Sequence, residues 1–253
     1  MRYSITLSYD GSSFSGWQIQ PNAPSVQETL ERALSVLLRE KVTVTGAGRT
    51  DAGVNASGYV AHFDASEIPD AAALCCKLNA MLPHSVRIHE LAEAAPDFHA
   101  RFDARLRRYN YFIHRSKDPF VESYSYLYTF PLDVEAMNKA CEYLLGTHDF
   151  SCFEKTGGAS KTSVCTVFEA SWQTYEPTHV RVMGYPGSGY LVFTVSADRF
   201  LRNMVRAIVG TLLDIGRGRY GVSHMEEVLA GRDRSLAGES VPGHALFLSR
   251  VEY

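Results

Sequence analysis

The chain has 253 residues, of which 45% are hydrophobic and 21% charged, a balance that gives a globular protein with a sizeable core and excludes a disordered or fibrous one. No apolar run approaches the roughly 20 residues needed to span a bilayer, so a membrane protein is not expected. A formal net charge of −3 argues against a polyanionic partner unless the charges are unevenly spread.

Arg2 to Asp10 alternates in a strand-like way, with Tyr3, Ile5, Leu7 and Tyr9 on one face. A loop rich in Gly, Ser, Asn and Gln follows from Gly11 to Ala23. Ser25, with Glu28 three residues on, has the form of a capping box. Val26 to Arg39 then carries Val26, Leu30, Ala33, Leu34, Leu37 and Leu38 at helical spacing. Val42 to Val44 and Tyr59 to Phe63 read as strands on either side of a glycine-punctuated segment. Ala71 to Met81 reads as a helix that stops before Leu82-Pro83, because the residue preceding proline disfavours the helical region. Val86 to Leu91 is again strand-like.

The second half begins in a similar way. Leu106 to His114 is a strand in which Tyr109, Tyr111 and Ile113 alternate with Arg108, Asn110 and Phe112. Leu132 to Leu145 is an amphipathic helix closed by Gly146 as its C-cap. Val164 to Tyr175, Val180 to Met183 and Tyr190 to Ala197 read as strands of a meander. Phe200 to Ile215 is helical, Ser223 to Leu229 is a short capped helix, and Ala245 to Tyr253 is a final strand. The expected fold is α+β, with two similar halves, 1–104 and 105–253, whose antiparallel sheets lie side by side. Helices cover one side, the other side lines a cleft, and the last strand is free to pair back onto the first half.

The N-terminus, Met1 to Ile5, runs straight into strand-like sequence without the apolar segment and small-residue site of a signal peptide, so a cytoplasmic location is expected. Cys75 and Cys76 are adjacent, while Cys141, Cys152 and Cys165 are scattered. With an odd count and no C-x-x-C pair, they read as reduced and mostly buried. His84 and His89, the closest histidine pair, miss the spacing that puts two imidazoles on one helix face, so no metal is expected.

The segment Gly46 to Ala56, which contains Gly48-Arg49-Thr50-Asp51-Ala52-Gly53-Val54-Asn55, places three glycines around an arginine and an aspartate two residues apart. Such glycines permit tight backbone turns. The Gly-Lys-Ser/Thr ending of a phosphate-binding loop is missing, and no long helix starts at Gly53 as a dinucleotide fingerprint requires. Taken alone, the segment is equally a structural turn in which Arg49 and Asp51 pair or satisfy loop backbone.

Gly48 to Val54 resembles the active-site motif of the bacterial tRNA pseudouridine synthases that modify the anticodon stem-loop, the TruA family. Further segments match in the same order. They are Tyr9-Asp10-Gly11 with Phe14 and Gly16-Trp17-Gln18; Val26-Gln27-Glu28; Leu78 to Pro83; Asp97 to Phe102; Arg108 to Tyr111; Gly146 to Phe150; and Phe200 to Arg206. The resemblance therefore covers nearly the whole chain. It implies the pseudouridine synthase fold with the active site in an RNA-binding cleft between the halves. It also implies isomerisation of uridines at tRNA positions 38–40 after base flipping, no cofactor, and a homodimer acting on tRNA rather than DNA.

Residue by residue, the resemblance makes Asp51 the essential carboxylate. Tyr109 becomes the active-site tyrosine, Arg206 the arginine that pairs with the aspartate, and Arg49 the residue that helps flip the target nucleotide. Asn55 departs from the pattern, since many relatives carry His there. Making pseudouridine breaks N1–C1′, turns the uracil and joins C5 to C1′, with nothing oxidised and nothing imported. Asp51 could attack C1′, deprotonate C2′ to form a glycal, or add to C6, and the sequence leaves these open. A carboxylate at work in a partly dry site needs a fixed positive partner, and arginine, always charged and bidentate, is suited to be one. Read without the family, Arg206 serves equally as a helix-packing ion pair and Tyr109 as a core tyrosine. Two other readings compete with this one. A non-catalytic RNA-binding protein has no need of these three residues together, and a methyltransferase lacks its cofactor turn here.

The charge is strongly polarised. Residues 101–117 hold Arg101, Arg105, Arg107, Arg108, Arg115 and Lys117 against Asp103, a net +5. Residues 199–219 hold Arg199, Arg202, Arg206, Arg217 and Arg219 against Asp214, a net +4, which leaves −12 on the remainder. These arginines either decorate solvated faces or meet RNA, whose helices present mainly phosphates and hydroxyls. Arg49, Arg101, Arg107, Arg108 and Arg202 are the candidate RNA contacts. On that reading tRNA affinity falls steeply with salt, and Arg→Ala changes in either cluster flatten the dependence of log Kd on log salt by about one per lost contact. A salt-independent affinity would contradict it.

Overall fold

The computed structural model describes residues 1–155, 157, 162–184 and 189–253. The described residues divide into two units, one of residues 1–106 with 247–253 and one of residues 107–246. Both mix strands and helices, as the α+β class requires, and none of the described helices is long and apolar enough to cross a membrane.

The first unit begins with β1 (Arg2–Tyr9), in which Tyr3, Ile5, Leu7 and Tyr9 are buried and the residues between them are half-buried. α1 (Val26–Leu38) starts at Ser25, whose hydroxyl accepts from Glu28 N at 3.2 Å, and buries Val26, Leu30, Ala33 and Leu34. β2 (Val44–Gly46) and β3 (Asn55–Asp64) are antiparallel neighbours. α2 (Ala71–Met81) is capped by Asp70 and ends at Leu82, and β4 (Val86–Glu93) completes the run. β1 lies between β3 and β4 and pairs antiparallel with both, so its buried residues sit at the centre of this sheet. α2 packs on β4 and α1, and α1 on β2, which covers the apolar face. A fully buried Leu7 or Ile5 contributes about 1.5–3 kcal/mol by this burial.

The second unit runs through β5 (Leu106–His114), β6 (Tyr126–Leu127), α3 (Val134–Glu142), β7 (Gly146–Asp149), β8 (Val164–Thr174), α4 (Thr178–Met183), β9 (Tyr190–Ala197), α5 (Met204–Gly216) and α6 (His224–Gly231). β9 pairs antiparallel with β5 and β8, and β8 with β7. α5 is buried almost all round and packs on α3, which in turn lies on β8. β10 (Leu246–Glu252) closes the chain, and its Phe247 and Leu248 pair in parallel with Asn55 and Ala56 of β3.

Several elements differ from the sequence reading. Val180 to Met183 is the end of the helix α4 rather than a strand. Pro177 precedes its first turn, Arg181 N donates to Pro177 O at 3.1 Å, and Gly184 ends it in the left-handed region. α3 is shorter than the expected 132–145, because Asp133 caps it at Ala136 N. Gly146 does not close α3. It opens β7, where pairing with Val167 satisfies its backbone. α5 begins at Met204, four residues after Phe200, since Asn203 is left-handed and the Arg202 carbonyl is taken by Lys155 N. Ser223 makes no capping bond to α6. β2 and β3 are displaced from, or longer than, the expected 42–44 and 59–63, and the two-residue β6 was not expected.

His62 on β3 is 5% exposed, and its Nδ1 accepts the N–H of Ala100 at 3.0 Å. Burial, then the nearby Arg2 and His99 charges, hold its pKa below the ordinary 6.5. The fold thus prefers the neutral ring. Stability from this site is complete above about pH 6.5 and is lost as the pH falls from there towards the folded-state value. In urea titrations over that range, His62→Gln, which keeps an acceptor but cannot take up the proton, is expected to lose less stability on acidification than the wild-type protein. Parallel curves for the two would remove His62 as the cause.

Candidate active site

Asp51 lies in the loop between β2 and β3, half-buried, at the first position of a tight turn. Val54 N donates to Asp51 O at 3.1 Å, and Gly53 occupies the third position with φ of 76°. That geometry is a type II turn, whose third residue must tolerate positive φ, which explains the glycine after Asp51-Ala52.

A second loop, residues 10–17, is clasped onto this one. Trp17 N donates to Thr50 O at 3.2 Å, Gly53 N to Phe14 O at 3.4 Å, and Gly11 N to Asn55 Oδ1 at 2.8 Å. The buried hydroxyls of Tyr9 and Thr50 meet at 2.8 Å. The approach is closest at two glycines. A Cβ on Gly11 would stand 2.2 Å from Val54 O, and one on Gly16, whose φ is 101°, 2.4 Å from Thr50 O. No other residue type fits at Gly16, on both counts.

Beneath the loop, Trp17 stacks on Tyr59 at 4.1 Å, and Tyr9 meets both rings. The Tyr59 hydroxyl donates to Gly48 O in a short hydrogen bond, and Ala47 N donates to Val60 O. The peptide groups before, at and after Asp51 are therefore each tied to something rigid. Its carboxylate emerges from a loop with little freedom to move. Arg49, two residues earlier, is exposed.

In the second unit, Tyr109 is half-buried on β5, opposite Val195 of β9, and its ring meets Phe200 edge-on at 5.0 Å. Arg206 sits on the first turn of α5. Its Nε donates to Val241 O at 2.6 Å, and Val241 N donates to Arg206 O at 3.3 Å. The segment carrying Val241 crosses α5 where neither backbone has a side chain. A Cβ on Gly210 would lie 1.8 Å from Glu239 O, and one on Gly238 2.7 Å from Gly210 C. Gly238 N donates to Thr211 Oγ1, and Arg234 binds the carbonyls of Ala237 and Gly238 and the hydroxyl of Ser240. Tyr111 extends this scaffold by donating to Pro242 O at 3.0 Å, and burial raises its phenol far above the ordinary range.

The candidate RNA contacts divide. Arg101 and Arg202 are exposed, and Arg108 is half-exposed and bonded to Glu169 at 2.9 Å. Arg107 is 9% exposed and donates to Asp198 O at 2.7 Å, so it has little surface to offer a phosphate. Asn55 is 1% exposed and accepts from Gly11, a place inside the clasp rather than on an RNA-facing surface. The sequence reading missed the whole 237–242 strap and Arg234. Gly210, unexpected in an apolar helix interior, was the signal available. Among the described residues no group of three or more His, Cys, Asp and Glu could hold a metal ion.

A family profile described as tRNA pseudouridine synthase matches residues 5–103 and 140–253. The chain is 48% identical over 252 residues to the tRNA pseudouridine synthase A of Bacteroides thetaiotaomicron, covering 100% of this chain and 90% of that protein. It is 47% identical to the protein of the same name from Parabacteroides distasonis, covering 100% and 96%. For that from Streptococcus thermophilus the identity is 41%, covering 100% and 99%.

Through the clasp, Asn55 ties the 10–17 loop to the segment that follows Asp51. Asn55→Ala leaves the buried Gly11 N–H without this acceptor, at a cost of about 1–3 kcal/mol in unfolding free energy. Because the bond also anchors the Asp51 loop, turnover at saturating RNA should fall while RNA affinity holds. Denaturant melts and single-turnover kinetics check both. An unchanged turnover in a destabilised variant would separate the bond from the chemistry.

Proposed function

The chain belongs to the tRNA pseudouridine synthase family, and we propose that it performs the family's isomerisation on uridines of the tRNA anticodon stem-loop with Asp51, Tyr109 and Arg206 as its working residues. An enzyme of this family is an isomerase acting on tRNA uridine. The names of the relatives lend nothing to the non-catalytic RNA-binding alternative.

The observation that carries the assignment of Asp51 is the clasp around its loop. A surface aspartate in a solvated turn needs no second loop locked over its backbone. A carboxylate that must meet one carbon of the flipped nucleotide, and hold position while the uracil leaves and turns, does. Whether it addresses C1′, C2′ or C6 of the uracil, the base stays in the pocket and returns through C5, and the C5 proton is lost to solvent. Arg206, its Nε fixed on Val241 O, presents a guanidinium whose orientation is set before substrate arrives. That favours a role in keeping a carboxylate ionised and aimed. Tyr109, braced edge-on by Phe200, offers a ring face for the uracil and a hydroxyl for proton transfer at C5.

Arg49, Arg101, Arg108 and Arg202 are assigned to RNA contact, with Arg49 assisting the flip of the target nucleotide. Arg107 is assigned to holding the end of β5, because its guanidinium is buried on Asp198 O. The same reading takes the protein to be a homodimer in the cytoplasm, with one tRNA touching both copies. Sedimentation of the protein with and without tRNA tests that arrangement.

The decisive experiment measures tritium release from C5-labelled uridine in unmodified tRNA, together with the mass of the RNA. The wild-type protein is expected to release tritium with no mass change. Asp51→Ala and Asp51→Asn should reduce release by at least about a thousandfold while still binding tRNA. Arg206→Lys keeps the charge but not the planar fork, and is expected to lose about a hundredfold in turnover. Equal release by wild type and Asp51→Ala would refute the catalytic assignment.

A further inference from the structure

We propose that Phe102 is a stacking platform for an unpaired base of the bound tRNA, with Arg101 beside it for the adjoining phosphate. The proposal rests on tRNA being the substrate but not on which residue performs the isomerisation.

Phe102 is 74% exposed, more than any other described aromatic residue. A single exposed phenylalanine means little by itself. What sets this one apart is the rigidity of the turn that presents it. His99 N donates to Asp103 Oδ2 at 2.7 Å and Asp103 N to His99 O at 3.0 Å. The N–H groups of Arg101 and Phe102 both donate to His99 Nδ1 at 3.2 Å. Ala100, fully buried, donates to His62 Nδ1 and accepts from the Tyr253 hydroxyl at 2.8 Å. Arg2 holds Phe98 O at 3.0 Å. The backbone of the turn is thus fixed from five directions, while the ring at its tip is left in water.

The ring is also backed by a cluster of aromatic contacts, edge-on except for the last. Phe98 meets Tyr253 at 4.9 Å and His62 at 6.1 Å, His62 meets His99 at 4.9 Å, and His99 stacks on Phe102 at 4.2 Å with 29° between planes. Phe102 remains 74% exposed with His99 stacked against it and the Arg101 side chain over its ring. A base that displaces that guanidinium, or shares the ring with it, finds most of the phenyl surface in water. The Arg101 guanidinium lies 5.6 Å from the Phe102 centroid and is itself exposed, while the Asp103 carboxylate is turned inward onto His99 N. An aromatic face beside a cation, both preorganised, suits a base and its phosphate. Every base has a π-face, so such a platform favours single-stranded nucleotides without reading their identity.

The test compares tRNA affinity and single-turnover isomerisation for wild type, Phe102→Ala and Phe102→Trp. Phe102→Ala should fold normally, the ring being exposed, and bind unmodified tRNA about five- to a hundredfold more weakly. Its turnover at saturating tRNA and its salt dependence should stay unchanged. Phe102→Trp should restore affinity, and its indole should be quenched when tRNA binds, read against the buried Trp17 and Trp172. Wild-type affinity in Phe102→Ala, or an unquenched indole at saturating tRNA, would overturn the proposal. So would a drop in sedimentation mass of Phe102→Ala without RNA, which would show the ring to be a protein–protein contact. Should wild type release no tritium while Phe102→Ala still weakens tRNA binding, the isomerase reading falls and the platform stands.

Discussion

The site depends on two places where a side chain is forbidden. Gly11 and Gly16 let the 10–17 loop bring its backbone against the carbonyls of Val54 and Thr50, at separations where a Cβ would collide. Once the loops are that close, their polar groups find each other. Trp17 N reaches Thr50 O, Gly53 N reaches Phe14 O, and Asn55 takes up Gly11 N. Each bond is worth about 0.5–1.5 kcal/mol by itself. Together they turn an eleven-residue glycine-bearing segment, flexible by composition, into a fixed mount for Asp51. The Trp17, Tyr59 and Tyr9 cluster backs that mount with a rigid apolar floor.

The second unit solves the same problem by the same means. Arg206 is carried on a helix, yet what fixes its guanidinium is the strap that crosses the helix at Gly210 and Gly238. In both units the candidate side chain stands half-buried. Asp51 lies over Trp17, Tyr59 and Asn55, which are buried to within a few per cent, and Arg206 under a strap whose Val241 is buried but whose Arg234, Gly238 and Ser240 are only half-buried. That division of labour is expected where a charged group must be held without being sealed from substrate. It also locates the residues that hold these two side chains in place from outside the site: Asn55 and Thr50 in the first unit, Thr211 and Arg234 in the second.

The basic residues sort in the same way. The net charge of −3 hides two positive stretches, but proximity in sequence does not make them one surface. Along β5, Arg107 turns inward onto Asp198 O while the adjacent Arg108 is half-exposed, as alternation on a strand dictates. The exposed Arg101 comes with the exposed ring of Phe102, and a nucleic acid can use both features at once. Of the six cations counted over residues 101–117, Arg107 is thus turned inward and Arg108 is bonded to Glu169, so fewer than six face solvent fully.

What the sequence determined by itself was whatever depends on local pattern or on a matched motif. The alternation of Tyr3, Ile5, Leu7 and Tyr9 specified β1 and its buried face, the Ser25 capping box specified where α1 begins, and the Gly48 to Val54 motif, with the segments that match in order, identified the family. Elements whose partners lie far along the chain could not be read that way. Gly146 has the look of a helix cap until β8 is there to pair with it. Val180 to Met183 is a different case, a conflict of local signals: its residues favour a strand, while Pro177 and Gly184 on either side bound a short helix. The inward turn of Arg107, the clasp through Asn55 and the strap over α5 were decided only by the tertiary structure. Each is a hydrogen bond or a close approach between residues tens of positions apart, and no local propensity encodes which distant carbonyl a buried donor will find.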